Sequence, residues 1–118
     1  MTADIERHQS NARMSKFVRH GGVVYLAGQT SGGTDIADFQ GQTHEVLKRI
    51  DALLAAAGSS RARLLSATIY LKAMADFEAM NGIWEKWLEG GAVPARTTVQ
   101  SALAMDSLLI EITVIAAA

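Results

Sequence analysis

Two charged residues of this chain stand in segments that otherwise favour strand. Arg96 follows Pro94-Ala95 and opens the run Thr97, Thr98, Val99, Gln100 and Ser101. A guanidinium at a strand start suits a bidentate grip on a carboxylate, because its planar fork matches both oxygens. A surface salt bridge satisfies the same spacing. Glu111 lies in the middle of the apolar segment Leu108–Ala116. A carboxylate there is costly unless paired or hydrogen-bonded, so it is either half of a structural ion pair or an acid/base group. Arg96, Thr98 and Gln100 share one side of their strand. Because the two strands are consecutive, antiparallel pairing is expected, and a polar cluster with Glu111 becomes feasible.

Other chemistries find little support. His8, His20 and His44 have no metal-ligand spacing and no acidic partner at helical distance, so solvated or capping roles are expected and no metal is called for. The chain has no cysteine, which excludes disulfides, thiolate metal sites and cysteine nucleophiles. The serines form no G-x-S-x-G elbow, and no glycine pattern matches a phosphate or dinucleotide loop. Ser31-Gly32-Gly33-Thr34 reads as a flexible loop rather than an anion cradle.

Two helices and about six strands must position these residues. From Phe39 to Ala57, Val46, Leu47, Ile50, Leu53, Leu54 and Ala57 recur at three- and four-residue steps, which predicts an amphipathic helix. Asp35 or Asp38 can cap its start, and Gly58 sits where a left-handed C-terminal cap belongs. A second helix is predicted from Asp76, a candidate N-cap, to Leu88, with Phe77, Met80, Trp84 and Trp87 in its stripe; Gly90-Gly91 and Pro94 end it. Strands are expected at Lys16–His20 and Val23–Ala27, joined by a Gly21-Gly22 hairpin turn, then at Leu64–Lys72, Arg96–Leu103 and Leu108–Ala116, with a weaker one at Ile5–Gln9. This order predicts an α+β fold with both helices on one sheet face. The last strand is apolar on both faces, with Ile110, Ile112 and Val114 on one and Leu109, Thr113 and Ile115 beside Glu111 on the other. Something beyond two helices must cover the second face, so a homo-oligomer is expected.

Size and composition fit that picture. At 118 residues, residues 1–118 make one domain large enough for a real core. With 49% hydrophobic residues and a net charge of −1, disorder is excluded. The longest apolar runs are five or six residues, far short of a membrane span, and no secretory signal is evident. The basic residues are scattered and only seven aromatics are present, so nucleic acid is not an expected partner. A cysteine-free chain is compatible with the cytoplasm.

Six segments in register resemble one family. Val24-Tyr25-Leu26-Ala27-Gly28-Gln29, the helix Thr43–Ala57 closing in Ala57-Gly58, Ala67-Thr68-Ile69-Tyr70-Leu71, Asp76-Phe77-Glu78-Ala79-Met80-Asn81, Pro94-Ala95-Arg96-Thr97-Thr98-Val99 and Ile110-Glu111-Ile112 are similar to the RidA/YjgF proteins from about residue 13 onward. The resemblance implies a chorismate-mutase-like α+β fold, a mixed sheet, and a homotrimer with ligand clefts between subunits. It implies hydrolysis of reactive enamines and imines, such as 2-aminoacrylate and its imine tautomer, to 2-oxo acids and ammonia without a cofactor. Carried over, Arg96 matches the arginine that grips the substrate carboxylate, and Glu111 the carboxylate that positions or activates water. Asn81 matches a site-lining asparagine, and Gly28 a backbone contact to the ligand. Three positions depart from the family pattern. Met14 stands for a tyrosine, Ala27 for a serine and Thr98 for a cysteine, which marks a divergent subfamily. The same departures suit an alternative, a non-catalytic or chaperone-like trimer that binds small carboxylates. Ribonuclease or translation inhibition, a label the family has carried, fits the charge and aromatic content poorly.

Overall fold

Gly21 and Gly22, at φ +59° and +81°, adopt the left-handed conformations that a two-residue hairpin turn requires. They join β2 (Phe17–His20) to β3 (Val23–Leu26), with His20 opposite Val23. The computed structural model describes residues 4–118. A short β1 (Glu6–His8) adds to the outer edge of β2, where His8 stacks on Phe17 with ring centroids 4.6 Å apart. The remaining elements are α1 (Phe39–Ala56), β4 (Leu64–Leu71), α2 (Phe77–Trp87), β5 (Ala95–Gln100) and β6 (Ile110–Ala117). Short 3-10 turns at Arg61–Arg63 and Met74–Asp76 precede β4 and α2.

The six strands form one sheet in the order β1-β2-β3-β6-β4-β5. β4 and β5 run parallel, joined by α2 as a crossover, and every other pairing is antiparallel. β6 therefore sits inside the sheet, with Val24 opposite Ala116 on one side and Ile69 opposite Ile112 on the other. The expectation that the Arg96 and Glu111 strands are neighbours is overturned, because β4 lies between them. A strand–helix–strand crossover places the second strand parallel to the first, and that constraint outweighs the short connection between β5 and β6.

Both helices lie on one face. Ala67, Ile69 and Leu71 of β4 and Ile110, Ile112, Val114 and Ala116 of β6 are buried in one cluster with Val46, Ile50 and Leu54 of α1 and Met80 and Trp84 of α2. The alternate residues, Ser66, Thr68 and Tyr70 of β4 and Glu111, Thr113 and Ile115 of β6, are only half-buried, and Tyr25 is 45% exposed. Among the described residues, no helix covers that face.

The helix ends follow from local chemistry. The Asp38 carboxylate accepts from the Gly41 N–H at 2.8 Å, and Gly58 at φ +78° closes α1 with Ser59 N–H donating to Leu54 O at 2.8 Å and Gly58 N–H to Ala55 O at 3.1 Å. Asp76 makes no capping hydrogen bond; it belongs to the preceding 3-10 turn, which supplies the entry to α2 instead. β5 ends at Gln100 rather than Leu103, and β6 begins at Ile110 rather than Leu108, leaving 101–109 as a loop.

Candidate functional site

Arg96 stands opposite Ala67, and Thr98 opposite Ile69, in the parallel β4–β5 ladder. Since Ala67 and Ile69 lie beneath the helices, Arg96 and Thr98 point to the same side, toward α2. The guanidinium is half-buried. Its Nη1 donates to Met80 Sδ at 3.9 Å, and its Cζ lies 5.8 Å from the centre of the Phe77 ring. No carboxylate pairs with it: the ion pairs among the described residues are His8–Glu6, Arg49–Glu45 and Arg61–Asp51. On the same side, Asn81 Oδ1 and Thr98 Oγ1 are buried without a hydrogen-bond partner. Burying a cation and two unsatisfied polar atoms is costly for the fold alone; the guanidinium and the Thr98 hydroxyl can donate to a carboxylate, while Asn81 Oδ1 calls for an N–H donor.

Glu111 stands opposite Tyr70 and faces the other side of the sheet. Its placement depends on an irregularity in β3. Tyr25 pairs with Ile115, yet Gln29 pairs with Ile112, so four residues on one strand match three on the other. The extra residue makes a bulge at Ala27-Gly28, with Thr113 Oγ1 donating to Leu26 O at 3.0 Å and Gln29 Nε2 to Ala27 O at 3.0 Å. Glu111 folds over Gly28. A Cβ built on Gly28 would lie 3.0 Å from Glu111 Cδ and would overlap Oε2, so the close approach requires glycine. The carboxylate opens into a cavity of about 360 Å³ lined by Gly28, Tyr70, Thr113 and the loop Ser101–Ala104.

The six sequence-derived candidates thus fall into separate groups. Arg96, Asn81 and Thr98 gather on the α2 side of β5. Glu111 and Gly28 meet on the open face. Met14 joins neither; it is 41% exposed in the β1–β2 loop, at the sheet edge opposite β5, in a turn closed by Asn11 Oδ1 accepting from its N–H at 3.0 Å. The Arg96–Glu111 cluster that the sequence left feasible within one chain is not formed, because the two side chains lie on opposite faces with β4 between them.

The supporting residues were not singled out by sequence. Gln42 is 1% exposed and uses its whole amide: Nε2 donates to Ile36 O at 3.0 Å and Ser107 O at 2.8 Å, while Oε1 accepts from Leu109 N–H at 2.8 Å. It ties α1 to the loop that leads into Glu111. A polar residue within the apolar stripe of α1 was the available signal. Arg49 donates to Thr30 O at 2.7 Å and Gly32 O at 3.0 Å, so the Ser31–Thr34 segment, expected to be flexible, is pinned, with Ser31 buried. Among the described residues, no three His, Asp or Glu side chains are grouped to hold a metal ion, and no helix is long and apolar enough to cross a membrane.

Comparison with known proteins agrees with this architecture. The family model described as endoribonuclease L-PSP matches residues 5–118. A RutC family protein of Haemophilus influenzae is 38% identical over 112 residues, spanning 95% of this chain and 97% of the relative. A RutC family protein of Escherichia coli is 38% identical over 113 residues, spanning 96% and 97%. Among solved structures, a YjgF family member from Neisseria meningitidis superposes with a TM-score of 0.88 at 36% identity, covering 97% of this chain and 94% of that one. A protein from Salmonella typhimurium described as a putative translation initiation inhibitor gives 0.85 at 37% identity, covering 97% of both.

Proposed function

The chain belongs to the endoribonuclease L-PSP family, which includes the YjgF and RutC proteins, and on that premise we propose that it is a cofactor-free imine and enamine deaminase. It hydrolyses small 2-imino acids to 2-oxo acids and ammonia. The observation that carries this reading is Arg96, a half-buried guanidinium with no carboxylate partner among the described residues, on the same side of the sheet as the unsatisfied Thr98 Oγ1, which can donate to a carboxylate, and Asn81 Oδ1, an acceptor for an imine N–H. A bound 2-imino acid supplies the missing carboxylate and fixes the imine carbon in place.

The chemistry needs one water and one base. Water adds to the imine carbon while Glu111 takes its proton and delivers it to nitrogen, giving a carbinolamine. The C–N bond then breaks with its electron pair going to nitrogen. Glu111 takes the hydroxyl proton and passes it to that nitrogen, so the carbonyl forms and ammonia leaves. An enamine enters the same path after tautomerising to the imine.

Arg96 and Glu111 face opposite sides of their own sheet, so in this reading the site is composite. The β5 edge of one copy meets the Glu111 cavity of the next in a homotrimer, and the assembly covers the open sheet face. Gly28 contributes backbone next to the ligand, and Met14 forms a wall from the edge of the sheet. We place the reaction in the cytoplasm, where a cysteine-free chain loses nothing. Ribonuclease activity is not adopted: a net charge of −1 and few aromatics offer little to a phosphate backbone.

The second reading, a trimer that binds small carboxylates without turnover, draws on the same Arg96 geometry together with Met14, Ala27 and Thr98, which replace polar or reactive groups of the family pattern. The test is ammonia and 2-oxo acid release from imines generated in situ by an amino-acid oxidase. Turnover lost in Arg96→Ala and in Glu111→Gln is expected. An Arg96→Ala variant as fast as the parent refutes the role of Arg96. Arg96-dependent binding of 2-oxo acids with no ammonia release above the uncatalysed rate selects the binding reading.

A further inference from the structure

Between α1 and α2 lies an open groove of about 510 Å³ to which neither Arg96 nor Glu111 contributes. Four pairs spaced i,i+4 build its walls. On α1, Leu47 and Asp51 form the inner, more buried row and His44 and Lys48 the outer; on α2, Ile83 and Trp87 form the inner row and Gly82 and Lys86 the outer. Gly82 creates the gap. A Cβ there would meet nothing within 4 Å, and its φ is not positive, so neither packing nor backbone demands glycine. Glycine inside a helix nevertheless costs stability relative to alanine.

The wall beside that gap is rigid and its acid is spent. Trp87 Nε1 donates to Asp51 Oδ2 at 3.2 Å, and Arg61 lies 5.0 Å above the Trp87 ring while donating to both Asp51 oxygens at 2.8 and 2.9 Å. The charges left at the groove are Lys48, Lys86 and, when protonated, His44, none of which is in an ion pair among the described residues. Glu45 is held by Arg49 at 2.8 Å, and the α2 acids Glu78 and Glu85 do not line the groove. An inner surface of Leu47, Ile83 and Trp87, with Asp51 occupied by Arg61 and Trp87, lies under an outer rim that carries Lys48, Lys86 and His44, which matches one kind of ligand.

We propose that this groove is a second binding site, for a small amphipathic anion whose aryl body packs on Trp87, Ile83 and Leu47 and whose carboxylate or sulfonate meets Lys48 and Lys86. Its volume lies within the usual range for ligand pockets, about 300–1,000 Å³. The site is independent of the deaminase reading.

The test uses 8-anilinonaphthalene-1-sulfonate and its uncharged analogue N-phenyl-1-naphthylamine as fluorescent probes on the full chain. Saturable sulfonate binding near one per chain is expected, weakened about tenfold or more in the double variant Lys48→Gln, Lys86→Gln while the neutral dye is unaffected. Gly82→Leu fills the gap and removes both dyes; because leucine is the better helix former, that variant stays folded, as circular dichroism checks. Sulfonate binding unchanged in Gly82→Leu, or unchanged in the lysine double variant, overturns the proposal.

Discussion

Replacing Arg96 by methionine separates a structural arginine from a ligand-binding one. Were Arg96 half of a buried ion pair, its removal would strand a charge and destabilise the chain by about 3–5 kcal/mol. The structure gives it no such partner, only Met80 Sδ at 3.9 Å and the Phe77 ring at 5.8 Å. The cation–π contact contributes about 0.5–1 kcal/mol, and a methionine of similar length regains apolar contact with the same two side chains. The expected change in unfolding free energy is therefore within about 1 kcal/mol of zero. Ligand response is where the variant differs. A 2-oxo acid at a hundred times its Kd stabilises the parent by about 2.7 kcal/mol, which for a domain of this size raises Tm by about 10 °C. The assay is thermal and urea unfolding at fixed protein concentration, with and without pyruvate or 2-oxobutanoate. The parent should shift on ligand and Arg96→Met should not. A ligand-free loss above about 3 kcal/mol, or an undiminished ligand shift in the variant, refutes the assignment of Arg96 as a carboxylate receptor.

Two further substitutions test the scaffold around Glu111. Gly28→Ala places a methyl where the Glu111 carboxylate lies; the acid must rotate away, and ammonia release should fall about a hundredfold while the urea midpoint barely moves. Turnover equal to the parent's would show that Glu111 need not rest over Gly28. Gln42→Leu strands Ile36 O, Ser107 O and Leu109 N–H, and should lower unfolding free energy by about 2–4 kcal/mol in urea titration. An unchanged midpoint would mean that water replaces the amide without loss.

The parts legible in the sequence are those whose information is local. Val46, Leu47, Ile50 and Leu54 recur at the helical period, Gly58 marks the left-handed cap, and Gly21-Gly22 can close a hairpin with no other residue consulted. Alternation along β6 disclosed its buried face and its half-buried one. What stayed hidden was the phase between strands. Nothing in the spacing of Arg96, Thr98 and Gln100 says whether they share a face with Glu111, because that depends on the register Ala67–Arg96 and Tyr70–Glu111 across β4. The α2 crossover between β4 and β5 holds that information, whereas the nearness of β5 and β6 in sequence points the other way. The bulge at Ala27-Gly28 was likewise unreadable, since it exists only relative to Ile112–Ile115. Gln42 was readable in principle, as a polar residue inside an apolar stripe, but two of its three partners lie 65 and 67 positions away.

The place of β6 in the sheet has a bearing on how the chain is made. Residues 6–26 form a three-stranded meander and residues 64–100 a parallel pair, and across the sheet these two pieces join only through residues 110–117. During synthesis the first piece must therefore wait with its inner edge unpaired until the last strand leaves the ribosome. Unpaired edges of that kind are sticky, and pairings between distant segments form slowly. A C-terminal truncation at residue 109 would not trim the sheet but split it, and a stalled or clipped chain would be a target for chaperones and proteases rather than a smaller version of the same protein.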